Sequence, residues 1–280
     1  YPATIVGIPP MEDAYIAEAT EKIFTPLIQK TLTPELVDMH MPIWGVAHNL
    51  VLVSINKQYD GQAFKVAQSF WGAGQMMFNK VLIVLDNEID IRDYDAVVTA
   101  ISKNLISPEQ LLFSKGPIDV LDHATNVLGF GGKMCIDATC GSTDLSKKTS
   151  PGEFILELRN SDDKVDIPEL FQKYSEKRLI IVMLEPETQN LTWEMKVWYL
   201  LNNIDPQRDI HHKFEKDTFL LLIDGRKKRH NRRWPNVITM NKSTIEKVDK
   251  KWDRILPIPI IHSPSLYVAG LVKSEGSERK

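Results

Sequence analysis

Hydrophobic and polar positions along the chain change period repeatedly, switching between the short apolar runs of strands and the three-to-four-residue spacing of helices. Residues 4–8 (TIVGI) form a β-rich run stopped by Pro9 and Pro10. From Met11 a helical spacing begins with Glu12 and Asp13 in its first turn, where the helix dipole favours acids. Ile16, Ile23, Phe24, Leu27 and Ile28 fall on one face of that helix. Residues 36–41 and 50–55 read as strands, the second so continuously apolar that it suits a parallel strand covered on both faces. Residues 42–48 between them read as a packed loop. A helix follows over 62–77, with Phe64, Ala67, Phe70 and Trp71 inward and Gly72 and Gly74 weakening its end. Then come a strand over 80–85, a helix over 94–105 and strands over 110–113 and 134–138. Strands alternating with helices at this spacing predict an α/β fold: a mostly parallel sheet flanked by helices, with right-handed crossovers.

After Cys140 the pattern breaks into a polar, turn-rich stretch at 141–152 and then resumes. Strands at 154–158, 179–184 and 218–223 alternate with helices at 167–176 and 192–203, which reads as an inserted second α/β subdomain. Laid without a gap on 179–206, residues 81–108 match at Ile83 and Ile181, Val84 and Val182, Asn104 and Asn202, Ile106 and Ile204, and Pro108 and Pro206. Residues 135–137 (CID) echo 222–224 (LID), so the insertion also reads as a partial repeat. Three parts result: an α/β domain over 1–140, the inserted subdomain over 141–232 and a returning segment over 233–280. In the last, Ser243 and Glu246 have the spacing of a capping box and open a helix through Arg254, with Ile245, Val248 and Trp252 on one face. An apolar, proline-broken tail over 255–272 follows, suited to packing on its own domain or on a neighbouring subunit.

Composition narrows the class. With 280 residues, 43% of them hydrophobic and 25% charged, the chain can bury a sizeable core, and no apolar run approaches the roughly 20 residues of a membrane span. A net charge of −3 offers no global field for a polyanion, so no nucleic-acid partner is expected. The one strong basic cluster, 226–233, lacks interleaved aromatics and reads as a solvated loop. Cys135 and Cys140 fit neither a disulfide framework nor a metal knuckle, which points to reduced thiols and a cytoplasmic location. No histidine pair has metal-ligand spacing, so no metal site is expected in this chain. The chain starts at Tyr1 in a strand-like run, as a piece of a longer protein would.

Unusual residues concentrate at 116–139 (GPIDVLDHATNVLGFGGKMCIDAT). Asp122 and His123 could pair as orienter and general base, and Asp137 stands at a strand's C-terminal end, where α/β proteins place ligands. Asp119, Asp122 and His123 read better as pins for their loop through backbone hydrogen bonds. Gly131, Gly132 and Lys133 invite comparison with a phosphate loop, yet the strand-like run follows the lysine where a P-loop has a helix.

Taken in order, these pieces resemble the C-terminal region of the UbiD family of decarboxylases. The matching stretches are 1–7 (YPATIVG), 9–13 (PPMED), 42–49 (PIWGVAHN), 71–76 (WGAGQM), 116–124 (GPIDVLDHA), Gly132 with Lys133, 136–139 (IDAT) and 233–235 (RWP). Two features depart from the family pattern, one of them the run 141–232, which looks like an insertion between 136–139 (IDAT) and 233–235 (RWP). Ser107-Pro-Glu-Gln110 stands where members commonly have Asp-Pro-x-Arg-Asp, a motif found here at 205–209 (DPQRD) inside the insertion. Longer members associated with menaquinone-type pathways resemble the layout more than short ubiquinone-pathway ones.

The resemblance implies non-oxidative decarboxylation of an aromatic acid, of the quinone-biosynthesis type, with prenylated FMN as electron sink. It implies that a divalent metal of the Mn type, a monovalent cation and the catalytic Arg and Glu residues belong to an upstream flavin-binding domain, with a UbiX-like flavin prenyltransferase supplying the cofactor. This chain would then hold no catalytic residue, bind no cofactor alone, form a homo-oligomer, and present Met11, Glu12, Asp13 and Ile16 as one edge of a substrate cleft with Ile136, Asp137 and Cys140 as the other. The rival readings are an assembly module without a ligand cleft and a nucleotide-binding α/β domain built on Gly131, Gly132 and Lys133.

Overall fold

The computed structural model describes residues 11–140, 154–161, 166–174, 177–215, 218–228, 234, 237, 239–263 and 265–266. The strand expected at 4–8, the polar stretch at 141–152 and, in the tail over 255–272, residues 264 and 267–272 lie outside them.

Helix α1 (Met11–Thr31) leads into β1 (Leu36–His40), an antiparallel edge strand beside β2 (Leu50–Ile55). α1 turns its predicted apolar face outward: Ile16 is 58% and Ile23 59% exposed, with Phe24 and Leu27 also exposed, whereas Ala14, Ala17, Thr20, Glu21 and Ile28 are buried. Glu21 decides this, because its carboxylate accepts the Met41 N–H, lies 2.9 Å from His40 Nδ1 and takes Arg92 Nη2 at 3.3 Å. A carboxylate with three donors is cheaper to bury than one without.

The predicted helix at 62–77 divides into α2 (Gln62–Trp71) and a 3-10 turn, Gly74–Phe78, with Gly72 as the helix C-cap and Gly74 at φ +50. Strand β3 (Val81–Asp86), helix α3 (Tyr94–Asn104) and strands β4 (Leu111–Pro117) and β5 (Phe130–Asp137) complete the first sheet, in order β1-β2-β3-β5-β4. Its three middle strands are parallel and both edges antiparallel. The segment compared with a phosphate loop is strand: Gly131 and Gly132 pair with Gly116 and Lys115 across β4.

The inserted region builds a second sheet from β6 (Phe154–Asn160), β7 (Arg178–Leu184), β8 (Ile210–Glu215) and β9 (Thr218–Asp224), in order β6-β7-β9-β8. Helix α4 (Ile167–Lys173) covers its outer face, and α5 (Trp193–Asn203) and the single turn α6 (Pro206–Asp209) connect β7 to β8. β8, where histidine and charge obscure the pattern, went unread in the sequence. The run at 226–233 is less solvated than expected: Arg226 pairs with Asp224 and Lys228 reaches Asp224 and Asp209, so its described residues fold back over the end of β9. Past it, α7 (Lys242–Asp249) is N-capped by Asn241 rather than Ser243, and α8 (Trp252–Ile255) is a separate turn. Among the described residues no helix is long and apolar enough to cross a membrane.

The two sheets face each other. Val81, Ile83 and Leu85 of β3 and Met134 and Ile136 of β5 share one buried cluster with Ile180, Val182 and Leu184 of β7, with α3 and α5 residues Val97, Ala100, Met195, Tyr199 and Leu201 in the same layer. The opposite face of the first sheet is covered by α1 and α2.

Candidate functional site

At the carboxyl edge of the first sheet β2, β3 and β5 end together, and polar side chains gather there. Lys57, two residues past β2, donates from Nζ to Thr139 Oγ1 at 2.7 Å and to the Cys140 carbonyl at 3.2 Å, and lies 3.5 Å from Asp137 Oδ2. Asp137 Oδ1 accepts the Thr139 N–H at 3.0 Å and the Thr139 hydroxyl. Asp86 Oδ2, from β3, accepts the Cys140 N–H at 2.7 Å, and Asn104 and Gln110 donate to the Ala138 and Asp137 carbonyls at 2.8 and 3.0 Å. The predicted lip is therefore a braced backbone shelf. Ile136 is buried in the shared core, Asp137 caps its own turn and Cys140 is exposed. Cys135 is buried on the other face, where burial and then Asp137 push its thiol up.

The other predicted edge borders a cleft of about 400 Å³ between α1 and β1, whose walls include Ala14, Tyr15, Glu18, His40, Met41 and Arg92. Asp13 is half-buried, Ile16 is exposed beside Tyr15, and the side chains of Met11 and Glu12 lie outside the described residues. His40 Nε2 stands 3.0 Å from the Tyr94 hydroxyl, so Tyr94, His40 and Glu21 form a continuous chain along this cleft. Neither Ile136, Asp137 nor Cys140 lines it, and β2 and β3 lie between β1 and β5 in the sheet.

The 118–125 loop meets the inserted subdomain. Asp119 lies 2.9 Å from His48 Nδ1 and accepts the Leu121 N–H at 2.8 Å; the His48 hydrogen bond holds its carboxyl below the usual range. Asp122 accepts the Ala124 N–H at 2.8 Å and forms a buried ion pair with Lys80. His123 Nε2 stands 3.2 Å from Asn203 Oδ1, which also accepts the Trp234 indole N–H at 2.6 Å, and burial pushes the imidazole down to about 4. Lys133 is enclosed: Nζ donates to the Met77 and Asn79 carbonyls, both at 2.6 Å, and lies 5.7 Å from the Trp71 ring centroid. That ammonium closes a turn within the core, unlike a lysine presented to a phosphate.

Sequence reasoning passed over Lys57, Lys80 and Glu21. The signal was present for the lysines, since each stands singly at the end of an apolar run, where a long cation finds a buried partner or none.

Residues 14–138 match the family model of the 3-octaprenyl-4-hydroxybenzoate carboxy-lyase C-terminal domain, UbiD_C. They form a UbiD C-terminal domain. An uncharacterized protein of Helicobacter pylori J99 is 33% identical over 285 residues, covering 90% of this chain and 45% of that protein. An uncharacterized protein of Aquifex aeolicus is 52% identical over 139 residues, covering 50% of this chain and 28% of that one. The chain thus spans less than half the length of these curated relatives. Among solved structures, Sedimentibacter hydroxybenzoicus vanillic acid decarboxylase in closed form is 24% identical, covering 60% of this chain and 33% of its own, at a TM-score of 0.44. The UbiD-class enzyme HmfF from Pelotomaculum thermopropionicum in complex with FMN is 20% identical, covering 57% and 33%, at a TM-score of 0.43. In this chain the UbiD_C domain corresponds to α1 and the first sheet, which carry both the braced shelf and the α1 cleft.

Proposed function

We propose that this chain is the C-terminal part of a prenylated-FMN-dependent carboxy-lyase acting on an aromatic acid, of the quinone-biosynthesis type. It forms a wall of the substrate cleft and an oligomer interface, and is inert alone. The match of 14–138 to the carboxy-lyase C-terminal domain supports this reading, and the greater length of the relatives leaves room for a flavin-binding half.

Bound prenylated FMN would supply the electron sink for the carbanion character left as carbon dioxide departs. The described residues do not fit the holding of that group: no three His, Cys, Asp or Glu side chains gather as a metal set among them, and Lys57 is engaged by Thr139, Cys140 and Asp137. On this reading the cofactor, the divalent metal and the monovalent cation belong to a preceding domain, loaded by a flavin prenyltransferase. Ile16 and the shelf around Asp137 and Cys140 contribute shape and exclude water.

The test restores the preceding half, co-expresses a flavin prenyltransferase and measures carbon dioxide release from a panel of aromatic acids. Bound prenylated flavin with release of carbon dioxide is expected from the longer protein, and no FMN binding from residues 1–280 alone. A longer protein that carries no prenylated flavin would overturn the reading.

A further inference from the structure

The first sheet's β2, β3, β5 and β4 and the second sheet's β6, β7, β9 and β8 have the same spatial order and the same directions: three parallel strands, then an antiparallel edge. In each the second parallel strand leads to an 11-residue helix, then to a proline-opened turn capped by Ser107 or Asp205, then to the antiparallel edge strand. Strand pairing fixes the correspondence. Ile136 pairs with Ile83 and Leu111, and Ile223 pairs with Val182 and Ile210, so Ile83 corresponds to Val182 and Leu111 to Ile210. Burial agrees, since Val81, Ile83 and Leu85 face the shared core as Ile180, Val182 and Leu184 do. This register is one position from the gap-free sequence match, a slip that would have put every strand residue on the wrong face.

Under this correspondence the acceptors of the contacts between the units reciprocate, while the donors stand one position out of register, Lys80 aligning with Leu179 and Arg178 with Asn79. Lys80, at the foot of β3, donates to the Leu201 and Ile204 carbonyls at 2.7 and 3.1 Å. Arg178, at the foot of β7, donates to the Ser102 carbonyl and, at 3.0 Å, to the Leu105 carbonyl. Ser102 corresponds to Leu201, and Leu105 to Ile204, these last being the C-cap residues of α3 and α5. Each unit thus sets a buried cation against the carbonyl end of the other's helix, where the helix dipole favours positive charge. Between them Phe113 and His212, also equivalent, stack ring on ring with centroids 5.3 Å apart and planes 13° from parallel. A residue that meets its own equivalent, flanked by contacts that exchange roles, is what a two-fold interface requires.

We propose that residues 154–224 are a second copy of the α/β unit 50–137, docked on it about a local two-fold axis. The inner face of the first sheet is then a copy-recognising surface whose partner the chain carries in cis, closed to another subunit. This stands apart from the decarboxylase reading.

Hydrogen exchange of the whole chain tests the reciprocity. Lys80→Met is expected to speed exchange about tenfold at the α5 C-terminus, and Arg178→Met likewise at the α3 C-terminus, while Lys80→Arg and Arg178→Lys keep protection. Loosening confined to the variant's own unit, or crossing in one direction only, would overturn the proposal. The ring pair gives a second test without a buried charge. Phe113→His should lower the melting temperature, and combination with His212→Phe should return it to within about 2 °C of the parent, because on an axis the rings exchange places. A double variant melting as low as Phe113→His, or lower, would also overturn it.

Discussion

Gly132 donates its backbone N–H to Asp205 Oδ2 at 3.2 Å, and a Cβ on Gly132 would lie 2.2 Å from Asp205 Oδ1 and 2.8 Å from the Gln207 nitrogen. The glycine-rich strand β5 is where the DPQRD turn of the inserted unit rests on the UbiD_C domain. Its glycine serves close approach of two backbones rather than a ligand loop. Gly132→Ala is accordingly expected to destabilise the protein by about 2 kcal/mol, since backbone lies in the way and only a shift of α6 relieves the clash. A thermal melt matching the parent would show that the two units are not seated as described.

His123 makes acid stability a property of the same seam. Burial lowers its pKa to about 4 from the ordinary 6.5, so between those values the unfolded chain binds a proton that the folded chain refuses. Stability from this group is complete above pH 6.5 and is lost as pH falls toward 4, by about 3 kcal/mol. His123→Phe, which can keep an edge contact with Trp234, is expected to flatten that limb in denaturant titrations at pH 4 to 7.

Lys133 acts at the other end of the scale. Burial, and then the nearby Lys80 charge, lower it to about 7 from 10.5. Unfolded chain holds the extra proton across that interval, so stability should rise as pH climbs from about 7 toward 10. In Lys133→Met the rise should disappear from melting curves taken across that range. A persisting rise would place its cause in another group.

Glu21 holds α1 to the edge of the sheet. Glu21→Gln keeps the shape but loses the charge that His40 and Arg92 face, and is expected to cost about 2–3 kcal/mol. Limited proteolysis should then cut within α1 before the sheet opens, because that helix exposes Ile16, Ile23, Phe24 and Leu27. Unchanged resistance would mean that apolar packing of Ala17 and Ile28 suffices.

Much of the architecture was legible because burial leaves a period in the sequence. Continuous apolar runs at 50–55, 81–85 and 179–184 could only be strands covered on both faces, and the shift to helical spacing between them set the α/β class. The order of short motifs pointed to the UbiD family. The candidate site was less legible. Asp137 stood out as an acid at a strand end, but Lys57, which braces its shelf, approaches from another strand's loop 80 positions away. Periodicity reports how deeply a residue is buried and on which side, not which distant residue it meets. The outward turn of α1, the strand character of Gly131 to Lys133, the one-position slip in the internal register, and the stacking of Phe113 on His212 all depend on such meetings. Tertiary structure decided them, because contacts between segments far apart in the chain leave no local trace in either segment.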